Sequence, residues 1–390
     1  MRTLRPASSL LALCAGLLVG GCAGEPVGEG PEERPTSPET LVAVVPSDFS
    51  GVNELLTSSQ QDHEIRSQLF QHLVRERPDY REHPPTFEPE LARSWEFSDD
   101  RLALTFELRE ELVWSDGEPL TAEDVRWTWK AQTSPEVGWI YGYVKERISD
   151  VEVLGPRKVR FHFTEAYPTQ LLDANEGFIL PKHTWSELPF PEWRKSGDWF
   201  REHLVVSGPF TLDSWEPQQQ LSLIPNDRYF REDLPRLDRV VFRVVPDESN
   251  RLGQLLSGAT HVMVGIPPAR AKEVEESPES HLLAVDSRQY SYIAWNTERE
   301  PFREAAVRRA LTLSIDRESL IRSLWHGYAE IGTTPFTTSV WAHDPELEPW
   351  PYDPARAREI FAEHGWEDSD DDGVLDREGR DFAFDLSTNT

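Results

Sequence analysis

The stretch Leu91–Ala131 constrains the fold of this chain more than any other part of the sequence. Residues 95–97 alternate apolar with polar side chains, and residues 102–108 do so again. Between the two runs lies the polar reversal Asp99-Asp100-Arg101. Two alternating runs around a polar turn are typical of a β-hairpin with one buried face. The sequence therefore predicts a hairpin here, covered on one side by the core.

A helix is predicted directly after this hairpin and the turn Ser115-Asp116-Gly117. Thr121 lies three residues before Asp124. This spacing supplies a side-chain oxygen for an orphan backbone N–H and a carboxylate for the positive end of the helix dipole. Val125 and Trp129 then give the helix an apolar side. The whole stretch predicts hairpin, turn and capped helix, in that order.

The amino-acid sequence of the same stretch resembles that of the family 5 extracellular solute-binding proteins, the oligopeptide, dipeptide and nickel receptors of bacterial ABC importers. The family hallmarks are found as Leu-Ala-x-Ser-Trp at Leu91–Trp95, Phe-x-Leu-Arg at Phe106–Arg109 and Asp-Gly-x-Pro-Leu-Thr-Ala-x-Asp-Val at Asp116–Val125. The resemblance implies an α/β fold of the type II periplasmic-binding-protein class, with discontinuous lobes built on mixed β-sheets with flanking helices. We interpret these hallmark residues as scaffold that identifies the fold, and we place the ligand site elsewhere.

Length and charge narrow the function. The chain has 390 residues, which predicts two or more domains. Its formal charge is -29, from 69 acidic against 40 basic side chains. Nucleic acid is therefore not an expected partner, because binding phosphates requires the opposite sign. We favour an exported protein with a self-repelling surface.

Residues 1–22 have the pattern of a lipoprotein signal peptide. Arg2 and Arg5 precede the apolar run Leu10–Val19, which is followed by Gly20-Gly21-Cys22. The run is shorter than the ~20 apolar residues that a transmembrane helix needs. Cys22 is the predicted lipidation site and the membrane anchor, with ordinary secretion as the alternative. Residues 23–40, rich in Gly, Pro, Glu and Ser, are predicted to be a disordered tether.

The folded part alternates predicted strands and helices, which favours mixed α/β domains. Helices are predicted at 64–74 and 250–257, strands at 151–154, 158–163, 221–224, 240–245 and 261–265, and a helix with Val307, Leu311 and Ile315 on its buried face. By resemblance, domain I comprises 41–85 plus 208–287, domain II comprises 86–207, and domain III comprises 288–390. Relatives continue beyond this last portion, so domain III is expected to be incomplete.

No catalytic motif is present in the sequence, which has no His-Glu-x-x-His, Gly-x-Ser-x-Gly, P-loop or dinucleotide fingerprint. We therefore expect no enzyme activity, no cofactor and no metal. The acidic run Asp368–Asp376 has oxygen donors at EF-hand positions one, three, five and nine, but Gly379 stands where the twelfth position needs glutamate. We favour a hairpin turn leading into a strand over a calcium site.

Ligand-contact candidates come from segment junctions that face the interdomain cleft in the family. Aromatic side chains there would shape pockets, and an amide or an exposed backbone would hydrogen-bond an extended ligand. For each candidate, packing within the protein is an equal alternative. The candidates are Tyr141, Tyr143, Val264, Gly265, Tyr290, Tyr292, Trp295 and Asn296.

The function that the resemblance implies is the substrate-binding component of an ABC importer. The expected ligand is a short peptide, held between lobes that close around it and present it to a membrane permease with its ATPase. A monomer tethered to the membrane by lipid is expected. A receptor of the same fold for nickel, haem or a sugar is one alternative, and a signalling or structural lipoprotein without transport is the other.

Overall fold

The computed structural model describes residues 39–57 and 59–388. The predicted signal peptide, Cys22 and all but the last two residues of the predicted tether therefore lie outside the described residues. Within those ranges, no helix combines the length and the apolar character needed to cross a lipid bilayer.

A five-stranded sheet organises the first lobe. Its strand order is β11-β1-β10-β9-β8, with β1 parallel to both β10 and β11 and the β10-β9-β8 pairs antiparallel. The strands are β1 (Thr40–Val45), β8 (Phe210–Glu216), β9 (Gln220–Pro225), β10 (Arg239–Val244) and β11 (Val262–Met263). The first strand thus lies between strands that follow it by about two hundred residues.

A four-stranded antiparallel sheet, ordered β4-β5-β7-β6, organises the second lobe. Two short antiparallel pairs, β2 with β3 and β12 with β13, stand apart from both sheets. The strands are β2 (Val74–Glu76), β3 (Phe87–Pro89), β4 (Ala92–Phe97), β5 (Ala103–Leu108), β6 (Ile148–Gly155), β7 (Lys158–Phe163), β12 (Asp376–Arg377) and β13 (Arg380–Asp381).

Helices flank both sheets and are the main regular elements among the described residues after 290. The α-helices are α1 (Gln60–Leu69), α2 (Ala122–Thr133), α3 (Gln170–Asn175), α4 (Lys182–Trp185), α5 (Gly197–Glu202), α6 (Glu248–Leu256), α7 (Ala271–Glu275), α8 (Ala305–Leu313), α9 (Arg317–Leu320) and α10 (Pro354–Glu363). Three 3₁₀ helices (Gly142–Lys145, Phe190–Lys195 and Pro268–Arg270) and a π-helical turn (Ile321–Trp325) complete the described helices.

The predicted hairpin and capped helix are confirmed. Strands β4 and β5 pair with Trp95 opposite Phe106, and β5 buries every second residue. At the start of α2 the Thr121 side chain accepts from the backbone N–H of Glu123 at 3.3 Å, and Asp124 Oδ2 accepts from Thr121 N at 2.8 Å. These reciprocal bonds form a capping box that fixes where the helix begins.

The bounds of two predicted elements were wrong in part. The helix predicted over 64–74 begins at Gln60 and ends at Leu69. It ends there because the backbone of Phe70 is extended and Val74, in β2, pairs with Pro89 of β3. The strand predicted over 261–265 is only Val262–Met263, since Gly265 adopts a left-handed φ of +74°. These segments lie where the chain passes between structural units, and apolar periodicity alone does not detect such turns.

The predicted face of α8 is also corrected. Val307, Ala310 and Leu313 are the buried residues, at three-residue steps, whereas Leu311 is only partly buried. Ile315 lies beyond the helix, which ends before Ser314. The face packs against α10, so the position of that partner selects which side of α8 is buried.

One apolar core runs through both lobes. It includes Leu223 and Phe242 from the five-stranded sheet and Leu104 and Phe161 from the four-stranded sheet. A separate small core joins α8, α10 and Trp366. The two sheets therefore share their main packing, while the last part of the chain forms its own.

Gly208, at the return from the second lobe to the first, packs against the end of α1. A β-carbon at this position would overlap the carbonyl oxygen of Gln68 and lie 2.7 Å from the carbonyl carbon of Leu69. The amide of Gly208 also donates to Leu69 O at 2.8 Å, which holds the two backbones together. Only glycine fits this crossing without moving backbone.

We expect Gly208→Ala to lower the free energy of unfolding by about 2–3 kcal/mol, because the overlapping atoms are backbone and cannot rotate away. Chemical denaturation of the full chain measures this. Gly253→Ala is the matched control, since a β-carbon there meets nothing within 4 Å and the position is helical. It should gain about 0.5–1 kcal/mol. Equal effects of the two substitutions would contradict the close-packing argument.

Candidate functional site

The lobes meet where three stretches of chain are hydrogen-bonded to one another. The amide of Ile179 donates to Gln71 O at 3.0 Å, and Ser207 N donates to Leu69 O at 3.1 Å. The Ser207 hydroxyl accepts from Gln71 N at 3.2 Å. These bonds place residues 69–74, 175–180 and 205–209 side by side. Any rotation of one lobe against the other must bend or shear this junction.

We call residues 173–182 the bridging segment, because both lobes hold its backbone. From the second lobe, Thr128 Oγ1 accepts from Leu180 N at 2.9 Å and Asp124 Oδ1 accepts from Lys182 N at 3.0 Å. From the first lobe, Val74 N donates to the Asn175 side chain at 2.9 Å, and the Asn175 amide donates back to Val74 O at 2.9 Å.

The carbonyls at the start of the bridging segment bind side chains that reach in from both sides. Lys145 Nζ donates to Asp173 O at 2.6 Å, to Ala174 O at 3.3 Å and to Glu176 O at 2.8 Å. Gln132 Nε2 donates to Glu176 O at 3.0 Å. From the first lobe, His72 Nδ1 lies 3.3 Å from Asn175 O and 3.1 Å from Gly177 O.

Glu54, in the loop between β1 and α1, reaches the same segment. Its carboxyl accepts a hydrogen bond from the backbone N–H of Phe178. The Phe178 ring lies between the rings of His63 and His72, at centroid distances of 5.4 Å and 4.3 Å. The junction therefore concentrates ionisable side chains in an apolar setting.

Burial shifts the pKa values of these groups in the directions that favour their neutral forms. Desolvation raises the pKa of Glu54 to about 8, although Arg66 and Lys145 oppose the rise. Desolvation lowers the pKa of Lys145 to about 8 and the pKa of His72 to about 4. Part of the Glu54 side chain still contacts solvent, which reduces the effect on stability through screening.

A cavity of about 460 Å³ adjoins this junction in the second lobe. Its wall includes the end of α2, with Trp129 and Gln132, and the 3₁₀ turn that carries Tyr143. The indole Nε1 of Trp129 is buried without a hydrogen-bond partner among the described residues. Another depression of about 430 Å³, between residues 318–331 and Pro349, is lined by none of the predicted contact residues.

One of the predicted contact residues lines this cavity, and another lies two residues before it in the chain. Tyr143 lines it and is 65% exposed. Tyr141 is also exposed and packs edge-on against Trp139, with ring centroids 5.8 Å apart. Both side chains are thus available to a ligand on the surface of the second lobe.

The other predicted residues fall into separate groups. Val264 and Gly265 directly follow β11. Val264 is exposed, and a β-carbon on Gly265 would meet no atom within 4 Å. Tyr290 and Tyr292 pack on each other at 5.5 Å. Across residues 39–57 and 59–388, no hydrogen bond or ring contact joins these groups to each other or to Tyr141 and Tyr143.

Trp295 and Asn296 have partners within the protein. The Trp295 ring stacks on Phe302 at 5.0 Å and meets Phe384 edge-on at 5.9 Å. The Asn296 side chain accepts from Glu298 N at 3.0 Å. Their role in ligand contact stays a prediction, as it does for the other six residues.

Sequence reasoning missed the residues that hold the bridging segment, namely Glu54, Gln132 and Lys145. Each is a polar side chain that belongs to no recognisable motif. Gln132 is the one with a local signal, because it lies on the same side of the predicted helix as Thr128 and Val125.

The acidic run forms the predicted turn. Glu367 and Asp376 close it with an isolated bridge, and Asp376 then begins β12. The carboxylates of Asp368, Asp370 and Asp372 lie within 4.8 Å of one another and are exposed. Asp368 accepts from the backbone N–H of Asp372 at 3.1 Å and of Gly373 at 3.0 Å. The Asp368 side chain therefore supports the turn itself.

Comparison with known proteins identifies the family. The sequence profile of the bacterial extracellular solute-binding proteins, family 5 Middle, matches residues 86–390. This chain belongs to that family. The resemblance inferred from the hallmark residues is thereby confirmed.

Relatives of this chain bind several kinds of solute. It is 31% identical over 304 residues to the oligopeptide-binding protein AppA of Bacillus subtilis, covering 77% of this chain and 55% of AppA. It is 27% identical over 318 residues to heme-binding protein A of Haemophilus influenzae, covering 77% of this chain and 57% of that protein. The chain thus spans little more than half the length of these relatives.

Solved structures confirm the fold class. The structure of Bacillus subtilis AppA in complex with a nonapeptide superposes with a TM-score of 0.75 at 28% identity, over 89% of this chain and 68% of AppA. NikZ from Campylobacter jejuni in complex with Ni(L-His) gives a TM-score of 0.74 at 23% identity, over 88% of this chain and 66% of NikZ. The predicted α/β fold of the type II periplasmic-binding-protein class is therefore confirmed.

The raised pKa of Glu54 predicts a pH-dependent stability. As pH rises from about 4.5 to about 8, the unfolded chain loses this proton while the folded chain keeps it, so the free energy of unfolding falls. Glu54→Gln removes the titrating carboxyl and with it this part of the pH dependence. Between these pH values we expect the unfolding midpoint of the wild type to fall by roughly 2–6 °C more than that of the variant.

Thermal melts across that pH range measure the difference. The exposed Glu187, outside the junction, provides the control: Glu187→Gln should follow the wild type throughout. Parallel pH profiles for wild type and Glu54→Gln would show that the Glu54 carboxyl is not desolvated.

Proposed function

We propose that this chain is the substrate-binding component of an ABC importer and captures a short peptide in a cleft between its lobes. The observation that carries the proposal is the similarity to AppA, which combines 31% sequence identity with a matching structure in complex with a nonapeptide. The role needs binding and release without covalent chemistry. A separate permease and ATPase would take the peptide across the membrane.

The junction between the lobes supports this mechanism. A ligand that touches both lobes only when they are closed binds the closed state more tightly and so shifts the population toward it. The bonded backbones at the crossing are the axis about which such a closure would turn. Tyr141 and Tyr143 are proposed contacts on the second lobe, and Val264 and Gly265 on the first. The remaining proposed contacts are Tyr290, Tyr292, Trp295 and Asn296.

Ligand-induced stabilisation of the full chain tests the proposed function. A ligand that binds only the folded state raises the unfolding midpoint with its concentration. We expect a dipeptide, the tetrapeptide Ser-Thr-Ser-Ala or a nonapeptide to raise it, and Ni²⁺ with histidine, haem and an oligosaccharide to leave it unchanged. A shift with haem, nickel or sugar alone would assign the chain to that ligand class instead. A shift with none would oppose a receptor role.

The proposed contacts can be tested one side chain at a time. We expect Tyr143→Ala and Tyr292→Ala each to weaken peptide binding roughly five- to tenfold, because each removes an exposed aromatic surface from the cleft. Titration calorimetry measures the dissociation constants. Tyr352→Ala removes an exposed ring outside the proposed site and serves as the control. An unchanged dissociation constant for Tyr143→Ala would remove the 3₁₀ turn from the site.

The proposed lipid anchor rests on Cys22 and the residues before it. Expressed in a bacterium with a metabolic fatty-acid label, the wild type should carry the label and sediment with membranes. Cys22→Ser should lose both properties, whereas Cys14→Ser should keep them, because Cys14 lies inside the predicted signal. Label retained by Cys22→Ser would contradict the anchor.

A further inference from the structure

The 3₁₀ turn Gly142–Lys145 has two functional sides. Tyr143 and Lys145 both border the cavity, but Tyr143 is 65% exposed whereas Lys145, two residues later, is only 1% exposed. The outer side offers an aromatic ring to a ligand, and the inner side holds the bridging segment. One short turn thus connects a surface contact with the junction of the lobes.

Backbone hydrogen bonds hold the 3₁₀ turn together as one unit. Successive backbone bonds run from Gly142 N to Trp139 O at 3.0 Å, from Val144 N to Tyr141 O at 3.0 Å and from Glu146 N to Tyr143 O at 3.2 Å. A β-carbon on Gly142 would lie 3.1 Å from Gln132 O, so the turn packs tightly on the end of α2. Close-packed contacts transmit displacements instead of absorbing them.

Lys145 ties this turn to the bridging segment. Its ammonium donates to three carbonyls within residues 173–176, which uses all of its hydrogens. Trp139 makes a second connection, since its ring lies 3.4 Å from where a β-carbon on Gly177 would stand. Displacement of the turn therefore acts on the bridging segment at two points.

The bridging segment passes the displacement to the first lobe. Glu54 accepts from Phe178 N, His72 lies at the carbonyls of Asn175 and Gly177, and Val74 exchanges two hydrogen bonds with Asn175. These partners belong to the loop after β1 and to the chain that follows α1. Hydrogen bonds, together with the intervening backbone, thus connect the turn that carries Tyr143 to the first lobe.

We infer that Lys145 is a positioning residue for lobe closure, which transmits a ligand's contact with Tyr143 to the bridging segment and so to the lobe that carries Glu54 and His72. The inference rests on the proposed function. Beyond that function, the inference is that lobe closure in response to peptide depends on Lys145, a buried side chain that the peptide does not touch. A lysine that only stabilised the fold would leave the energetic contribution of Tyr143 unchanged.

A double-mutant cycle distinguishes these roles. Dissociation constants for the probe Ser-Thr-Ser-Ala are measured for the full-length wild type, Tyr143→Ala, Lys145→Met and the double variant. If Lys145 transmits the contact, Tyr143→Ala should weaken binding roughly tenfold in the wild type but about threefold or less when Lys145 is methionine. Lys130→Met, the same change on the exposed side of α2, should leave the effect of Tyr143→Ala at its wild-type size.

Lobe closure is measured directly by energy transfer between two dyes. Cys14 and Cys22 are the two cysteines of the chain, so replacing them with serine leaves it free for new labels. Asp99→Cys and Glu232→Cys place one dye on the β4–β5 turn of the second lobe and one beyond β9 in the first. At saturating peptide, the change in transfer should fall by at least half in Lys145→Met and be unaffected in Lys130→Met.

The outcomes separate the inference from the proposed function. If the wild type binds no peptide, both fail. If it binds peptide but the Tyr143 and Lys145 effects are additive and the transfer change is intact, the inference alone is overturned. If Lys145→Met does not fold, Lys145→Gln replaces it in the cycle, because an amide has two N–H donors and cannot bond all three carbonyls. The same non-additivity is then expected, and additivity overturns the inference.

Discussion

The start of the bridging segment depends on one interaction, the ammonium of Lys145 among three backbone carbonyls. A lysine withdrawn from water loses strong hydration, and only a full set of acceptors offsets that loss. The carbonyls of Asp173, Ala174 and Glu176 provide the set, but only while the chain after α3 keeps its conformation. Loss of that conformation would leave both the ammonium and the carbonyls without partners.

The same segment shows how two lobes can share a core and still be positioned independently. Apolar burial of Leu223, Phe242, Leu104 and Phe161 in one core holds the sheets together, and its driving force is non-directional. The hydrogen bonds of residues 173–182 are directional and specify the angle between the lobes. A small change in a few bonds can therefore reorient lobes whose shared apolar packing is retained.

The sequence predicts local structure well where neighbouring residues decide it. The β4–β5 hairpin and the Thr121 cap follow from alternation and from a three-residue spacing. The early end of α1 and the buried face of α8 were predicted incorrectly, because partners remote in sequence decide them. Glu54, Gln132 and Lys145 were not predicted at all, since their role arises only when residues 173–178 are placed beside them. The family hallmarks identify scaffold, and the ligand-contact residues remain predictions.

The place of β1 within its sheet has a consequence for the order in which the molecule is assembled. Its neighbours are β10 and β11, and the amide of Glu39 donates to Asp238, 199 residues later. A chain synthesised from its amino end must keep this first strand unpaired until those neighbours exist. The sheet of the first lobe therefore closes late, around a second lobe that is already complete in sequence.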